Sequence, residues 1–157
     1  MGYVMENLIA LNNKKVKKII SVLNSQFGYE GDSLKKYAFF LKEKDNSLKI
    51  ITRDVAIINE YKINIDSMGL RIGKEIADGI LLSIDGSQII GPHCNKNILE
   101  ISREEARNWL KGFDLETKHE NGFVLLKHNN DFLGTGKVKN GRILNNVPKT
   151  RRLKCSD

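Results

Sequence analysis

The spacing of apolar residues predicts an amphipathic helix near the start of the chain, followed by a β-hairpin. Asn12 or Asn13 is a candidate cap, after which apolar positions recur at helical intervals as far as Phe27. Gly28 then follows as a stop signal. The stretch YAFFLKEKDNSLKIIT holds two apolar runs on either side of a turn-forming segment, which is typical of two antiparallel strands.

The next apolar runs predict a short helix and a second hairpin. Residues 55–58 favour the helix, and the runs 70–76 and 80–84 favour two more strands. Asp78 and Gly79 separate these strands as a favourable two-residue turn. Strands and helices do not alternate here as they do in parallel nucleotide-binding sheets. The pattern therefore predicts a small mixed α/β N-terminal domain with antiparallel strands.

Pro92 marks the predicted boundary between an N-terminal domain of residues 1–92 and a second domain of residues 93–157, because the residue before a proline is driven out of helical conformation. In the second domain, Ser102 and Glu105 form a capping box that opens a short helix. Short strands are predicted at residues 97–101, 123–127, 132–138 and 142–144. Closely spaced short strands with one inserted helix are typical of a small closed or half-closed barrel.

Charge separates the end of the chain from the rest. Residues 137–157 hold seven Lys or Arg and one acid, so they account for +6 of the formal net charge of +7. This patch begins within a glycine-containing strand, FLGTGKV, and we expect a folded edge to present it. Attraction to phosphates, which does not depend on base sequence, is the commonest reason to concentrate cations in this way.

Bulk composition excludes several classes of protein. A hydrophobic content of 40% with 29% charged residues is typical of a globular protein. The apolar runs are far shorter than the roughly 20 residues that cross a bilayer, so we predict no membrane partner and no leader segment. The two cysteines, Cys94 and Cys155, are too few for a disulfide scaffold and favour a cytoplasmic location.

Candidate catalytic, metal and cofactor sites are weak. Cys94 beside His93 could have a lowered thiol pKa, but neither cysteine has a partner at metal-ligand spacing. Gly134 and Gly136 match the start of a dinucleotide fingerprint, yet Lys139 stands in place of its third glycine and no helix follows. We therefore predict no catalytic residue, no metal and no cofactor.

The candidate phosphate contacts are the cations of the C-terminal patch. They are Lys137, Lys139, Arg142, Lys149, Arg151, Arg152 and Lys154. Gly134 and Gly136 are expected to bend the barrel wall and to leave room for a nucleic acid backbone. Phe132 is interpreted as a core or rim residue rather than a stacking platform, and Trp109 as a core residue. Four lysines at residues 14–18 form either a second basic site or a solvated helix face.

These residues resemble a known family. The segments DGILLSIDGSQIIG, NILEISREEARNWLKG and GFVLLKHNNDFLGTGKVKNGRILNNVPKTRRL resemble a PUA domain, the module named for pseudouridine synthases and archaeosine transglycosylases. Its place behind an N-terminal pre-PUA-like domain resembles the Nip-type ribosome biogenesis factors of archaea and eukaryotes. It is equally similar to the PUA-like region of Nol/Nop/Sun-type RNA cytosine methyltransferases, and to small archaeal proteins that resemble that region alone.

The resemblance implies an α+β protein whose second domain is a PUA-like β-barrel that binds RNA, either rRNA or tRNA. RNA contacts are then implied at Arg142, Lys149, Arg151, Arg152 and Lys154. The sequence departs from the methyltransferases because it has no cofactor-binding sheet and no Pro-Cys catalytic motif. We therefore expect a non-catalytic RNA-binding protein in rRNA maturation or RNA modification, with ribosome-assembly proteins or an RNA methyltransferase as possible partners. The alternative is a protein-interaction subunit of an RNA cytosine methyltransferase supplied in trans.

Overall fold

The computed structural model describes residues 8–56 and 69–154, which form two five-stranded sheets with helices packed between and beside them. The first sheet comes from the N-terminal part and the second from the C-terminal part. The predicted α+β class is therefore confirmed, with antiparallel strands followed by a barrel-like sheet. Residues 55 and 56 of the helix predicted at 55–58 are helical, and residues 57 and 58 lie outside the described residues.

The first sheet is antiparallel and its strands follow one another in chain order. Its elements are β1 (Leu8–Ala10), α1 (Asn13–Phe27), β2 (Tyr37–Lys42), β3 (Ser47–Thr52), α2 (Arg53–Ala56), β4 (Leu70–Ile76) and β5 (Gly79–Leu82). The side chain of Asn12 accepts a hydrogen bond from the Lys15 amide, and Gly28 ends α1 in the left-handed conformation, as predicted. The predicted hairpin of β2 and β3 is also confirmed.

The second sheet has the strand order β6-β8-β9-β10-β7, in which β6 and β8 are parallel and the other pairs antiparallel. Its elements are β6 (Ile98–Glu100), α4 (Arg103–Leu110), β7 (Leu115–Glu116), β8 (Gly122–His128), β9 (Asp131–Lys139) and β10 (Arg142–Leu144). Both hydrogen bonds of the predicted capping box between Ser102 and Glu105 are present. The apolar face of α4 closes a second core under this sheet.

The segment after the second hairpin differs from the prediction. Ile76 pairs with Gly79, so the turn lies at Ala77 and Asp78, one residue earlier than predicted. The strand predicted for 80–84 ends at Leu82, and residues Ile84–Ile90 form a helix, α3, capped by Ser83. Gly86 lets α3 lie directly on β4, because a Cβ at this position would overlap the backbone of that strand. Apolar residues at 84, 89 and 90 fit strand and helix alike in so short a segment.

Side chains cover the outer edge of β5, which has no neighbouring strand. The Gln26 amide donates to the carbonyl oxygen of Ile80 at 2.7 Å, and its oxygen accepts from the Ile80 amide at 2.9 Å. The hydroxyl of Thr135 on β9 accepts from the Leu82 amide at 3.1 Å. Side chains thereby satisfy the backbone groups of Ile80 and Leu82 at this sheet edge, and the bond from Thr135 joins the two sheets. The boundary proposed at Pro92 stays a prediction.

Candidate nucleic-acid interface

Three of the predicted phosphate contacts lie on one face of the second sheet. Lys137 and Lys139 are two residues apart on β9, so their side chains leave the same side of the strand. Arg142 on β10 is the register partner of Lys139 and shares that face. Lys139 and Arg142 are exposed, whereas Lys137 is half-buried. The pairing of β9 with β10 thus gathers these cations into one group, the sheet-face cations.

Lys137 has a partner in the N-terminal part of the chain. Its ammonium lies 2.6 Å from a carboxylate oxygen of Asp78, in the turn between β4 and β5. The same ammonium lies 5.6 Å from the ring centroid of Phe123, its register partner on β8. Lys137 therefore helps to join the two sheets, and of the three it is the cation least free to turn toward a ligand.

The basic tail, residues 149–154, is held by specific bonds to α4 and to the segment that follows β10. The amide of Leu153 donates to the carbonyl oxygen of Leu110 at 2.9 Å, and Nε of Arg152 donates to that of Val147 at 3.0 Å. The Arg152 side chain also lies over Gly112, where a Cβ would overlap it. Arg152 is consequently half-buried and holds the tail in place.

Arg151 extends from the tail to helix α3. One guanidinium nitrogen lies 3.0 Å from each carboxylate oxygen of Asp85, which belongs to the first turn of α3. The two side chains are 55% and 38% exposed, so water screens the pair and a competing phosphate can reach the guanidinium. We therefore count Arg151 as available to an anion, in contrast to Arg152.

The remaining predicted cations are unpaired in the structure as far as residues 8–56 and 69–154 describe it. Lys139, Arg142, Lys149 and Lys154 are exposed, and they make no ion pair there. An unpaired exposed cation costs little to bring to a phosphate, since no intramolecular bond has to break. These four residues are the strongest candidates for direct contact with a polyanion.

The two predicted glycines lie against the protein's own atoms. Gly134 has a positive φ of 94°, and its amide donates to the hydroxyl of Ser87 at 2.9 Å. Gly136 is buried, and a Cβ there would overlap the side chain of Ile143. The pairing of β8 with β9 shifts register between Leu125 and Lys127, opposite Gly134, and the bend expected in the barrel wall stays a prediction. Room for a nucleic acid backbone beside these glycines stays a prediction.

A cleft of about 240 Å³ opens between the two sheets, next to the start of the basic tail. Arg71 and Lys74 of β4 line one side, while Gly134, Asn146 and Pro148 line the other. Nε of Arg71 donates to the Ser47 hydroxyl at 3.2 Å, and Lys74 is exposed. Arg71 and Lys74 are not among the cations predicted from the sequence, because no local pattern places β4 beside residues 60 or more positions further along the chain.

Two aromatic residues are core residues, as interpreted from the sequence. Phe132 is 5% exposed and packs against Gly91. Trp109 is 1% exposed, and its indole nitrogen donates to the carbonyl oxygen of Leu133 at 2.8 Å. Neither ring is accessible to a base.

Cys94 differs from the sequence-based interpretation. Burial raises the pKa of its thiol to about 11, and Sγ lies 3.4 Å from the carbonyl oxygen of Ile90. The neighbouring His93 is exposed and lies edge-on to Tyr29 instead. The suggestion of a lowered pKa at Cys94 is therefore wrong, and this thiol has the environment of a structural residue. Cys155 lies outside the described residues.

The lysines of α1 are exposed, and both interpretations of them stay open. Lys14, Lys15, Lys17 and Lys18 lie on the solvent side of the helix. No acidic residue stands in its first turn. Cations near the start of a helix oppose its dipole, so they cost a little stability whichever role they have.

Within the described ranges, no group of three or more His, Cys, Asp or Glu residues could hold a metal ion. No described helix is both long and apolar enough to cross a membrane. The described C-terminal part presents exposed cations on an ordered surface, next to a cleft with basic and apolar walls.

Comparison with known proteins finds a family model that matches the C-terminal part of the chain. Residues 96–153 match the family model described as the PUA domain of the methyltransferase RsmF, and not a catalytic methyltransferase domain. The ribosomal RNA small subunit methyltransferase F of Vibrio atlanticus (strain LGP32) is 28% identical over 95 residues, which are 59% of this chain and 20% of that protein. This chain therefore spans only a small part of the length of that relative.

A solved structure resembles nearly the whole chain in fold. It is the crystal structure of a hypothetical protein from the hyperthermophilic archaeon Pyrococcus horikoshii OT3, with a TM-score of 0.53 and 16% sequence identity. The match covers 92% of this chain and 86% of that chain. Residues 96–153 are thus similar to the PUA domain of RsmF-type methyltransferases, and the PUA resemblance predicted from the sequence is confirmed.

Proposed function

We propose that this chain is a non-catalytic RNA-binding protein that acts in rRNA maturation or RNA modification. The observation that carries the proposal is the PUA match over residues 96–153, because that range contains all the predicted phosphate contacts except Lys154. RNA, either rRNA or tRNA, binds along the sheet-face cations and the basic tail. Four or five phosphate contacts come from a set of six exposed cations, Lys74, Lys139, Arg142, Lys149, Arg151 and Lys154.

The order of the tail supports this proposal. Binding would have to order the backbone of a frayed tail at a cost in entropy, whereas this backbone is already held by the amide of Leu153 and the side chain of Arg152. The cleft continues the basic surface onto β4 through Lys74 and Arg71. We infer that the RNA strand passes from the tail across the mouth of this cleft.

Salt dependence tests the electrostatic part of the proposal. If four or five cations touch the phosphates of single-stranded RNA, the logarithm of the affinity falls against the logarithm of salt concentration with a slope of about −3. Lys74→Ala is expected to weaken binding about fivefold and to make the slope less steep by about 0.7. Fluorescence anisotropy with a labelled oligouridine measures both quantities.

A matched control is Lys44→Ala, which removes the same charge from the exposed turn between β2 and β3. We expect this variant to bind like the unchanged protein. A slope near zero would contradict electrostatic RNA binding altogether. Equal losses for the two variants would remove β4 from the proposed path of the RNA.

The similarity to an rRNA methyltransferase favours one second candidate function. In it, the chain is a protein-interaction subunit of an RNA cytosine methyltransferase supplied in trans, and the basic tail is secondary. Capture of such a methyltransferase by the tagged chain after ribonuclease treatment would support this candidate. Capture that depends on added RNA would instead favour the RNA-binding function.

A further inference from the structure

An exposed apolar patch lies between the sheet-face cations and the basic tail. Phe113, Leu144 and Leu153 are 56%, 37% and 48% exposed, and Phe113 is the most exposed large apolar side chain in the described residues. Leu144 is the register partner of Lys137 and shares the outer face of the sheet with Arg142. The patch therefore continues the row of sheet-face cations.

Hydrogen bonds bring the three apolar residues into one region. The side-chain amide of Asn145, the residue after Leu144, donates to the carbonyl oxygen of Phe113 at 2.9 Å. The backbone amide of Asn145 also donates to the Asp114 carboxylate at 2.8 Å. The amide of Leu153 donates to the carbonyl oxygen of Leu110, which precedes Phe113 by three residues. Three hydrogen bonds therefore fix the backbone around the apolar patch.

The exposed ring of Phe113 is not explained by the way α4 ends. The Phe113 amide donates to the carbonyl oxygen of Asn108 at 3.1 Å, and the Gly112 amide donates to that of Trp109 at 3.0 Å, which is the Schellman arrangement. An apolar residue after the glycine usually packs on the helix in such an ending. Here the helix offers Asn108 and the exposed Arg107 at the corresponding positions, and the ring stays in solvent.

Cations flank this patch on both sides. Arg152 and Lys154 adjoin Leu153 in the tail, and Arg142 adjoins Leu144 on the sheet face. Two acids also lie at this surface: Asp114 accepts from the backbone amide of Asn145, and Glu116 on β7 is the register partner of Arg142. An aromatic ring between groups of cations matches the chemistry of a single RNA strand, whose bases stack on aromatic rings while its phosphates pair with Lys and Arg.

We propose that Phe113, with Leu144 and Leu153 at its sides, is a stacking platform for one unpaired RNA base. This inference rests on the proposed RNA-binding function and extends it, because it assigns a contact to the base and not only to the phosphates. Binding at this platform tolerates different bases, since every base has a flat face to offer.

Two variants test the platform. Phe113→Ala is expected to weaken oligouridine binding about tenfold while leaving the salt slope unchanged, because a stacking contact releases no counterion. Phe113→Trp is expected to keep the affinity, and its new indole should be quenched when RNA binds. The unchanged protein, whose Trp109 is buried, is the control for this signal. Ile9→Ala, which removes an exposed apolar side chain from β1, is the matched control and should bind normally.

An oligonucleotide without bases separates the platform from the wider function. We expect Phe113→Ala and the unchanged protein to bind this phosphate-only probe equally. If Phe113→Ala binds oligouridine with normal affinity, the stacking role proposed for Phe113 is overturned, and the apolar patch would then serve a different partner. An equal loss of affinity for both probes would indicate a structural role and also overturn it. Failure of the unchanged protein to bind either probe would instead contradict the proposed function itself.

Discussion

Replacement of Lys149, Arg151 and Lys154 together by alanine is expected to weaken the binding of single-stranded RNA about a hundredfold at about 0.1 M salt. Each phosphate contact on a single strand is worth about fivefold in affinity at that salt concentration, and the three effects add in free energy. The slope of log affinity against log salt should also become less steep by about 2. Anisotropy titrations at several salt concentrations measure both changes.

The choice of residues keeps the fold intact. Arg152 is left in place because its guanidinium bonds to Val147 and packs over Gly112, so its loss would disturb the tail as well as the charge. The pair between Arg151 and Asp85 is largely exposed, and its loss should cost at most about 1 kcal/mol. Thermal unfolding should accordingly change little in the triple variant.

Three lysines of α1 provide a control of equal charge change. Lys14, Lys17 and Lys18 are exposed on the first turns of that helix. Their joint replacement by alanine should reduce RNA affinity by much less than the tail variant does. If the two triple variants lose affinity equally, net charge alone drives binding and the tail is not a site.

Trp109→Ala is expected to lower the free energy of unfolding by about 3–5 kcal/mol, the largest single effect on stability that we predict. The ring is 1% exposed and belongs to the core formed by α4 and the second sheet. Its removal leaves a large cavity and also deprives the Leu133 carbonyl of the indole donor at 2.8 Å. Urea unfolding followed by circular dichroism measures the loss. Tryptophan fluorescence cannot be used for this variant, because the chain has no other tryptophan.

Trp109→Phe is the matched variant because it keeps much of the packing and removes only the indole donor. We expect it to cost about 1–3 kcal/mol, the usual penalty for an unsatisfied buried group. If Trp109→Ala unfolds at the same urea concentration as the unchanged protein, the core of the second sheet is not organised around this ring.

Local sequence rules predicted the elements whose signals lie within a few residues. Asn12 and Gly28 bound α1, and the capping box of Ser102 opens α4, because capping depends on side chains beside the helix ends. Asn140 and Gly141 adopt the positive φ that a tight hairpin requires, so β9 and β10 were predicted close to their observed limits.

Features that depend on distant contacts could not be predicted in this way. Helix α3 is stabilised by packing on β4 and β9, and its apolar residues also fit a strand. The partners of Lys137 and Arg151 are 59 and 66 residues away along the chain. The stacking role proposed for Phe113 depends on its exposure, and apolar patterning alone assigns such a residue to the core.

Some conclusions still rest on the sequence and its resemblance. The domain boundary at Pro92, the cytoplasmic location, the choice between rRNA and tRNA, and the identity of protein partners stay predictions. The contacts assigned to individual cations stay proposals, although their exposure and pairing are now described. We propose above all that RNA lies on the sheet-face cations, the basic tail and the mouth of the cleft.

Nuclear magnetic resonance mapping of the amide signals during an oligouridine titration tests this claim most directly. We expect the largest shifts in residues 137–154, near Phe113 and in β4 around Lys74, with little change in α1. Largest shifts in the lysine-bearing turns of α1, or no shifts at oligouridine concentrations that saturate binding, would contradict it.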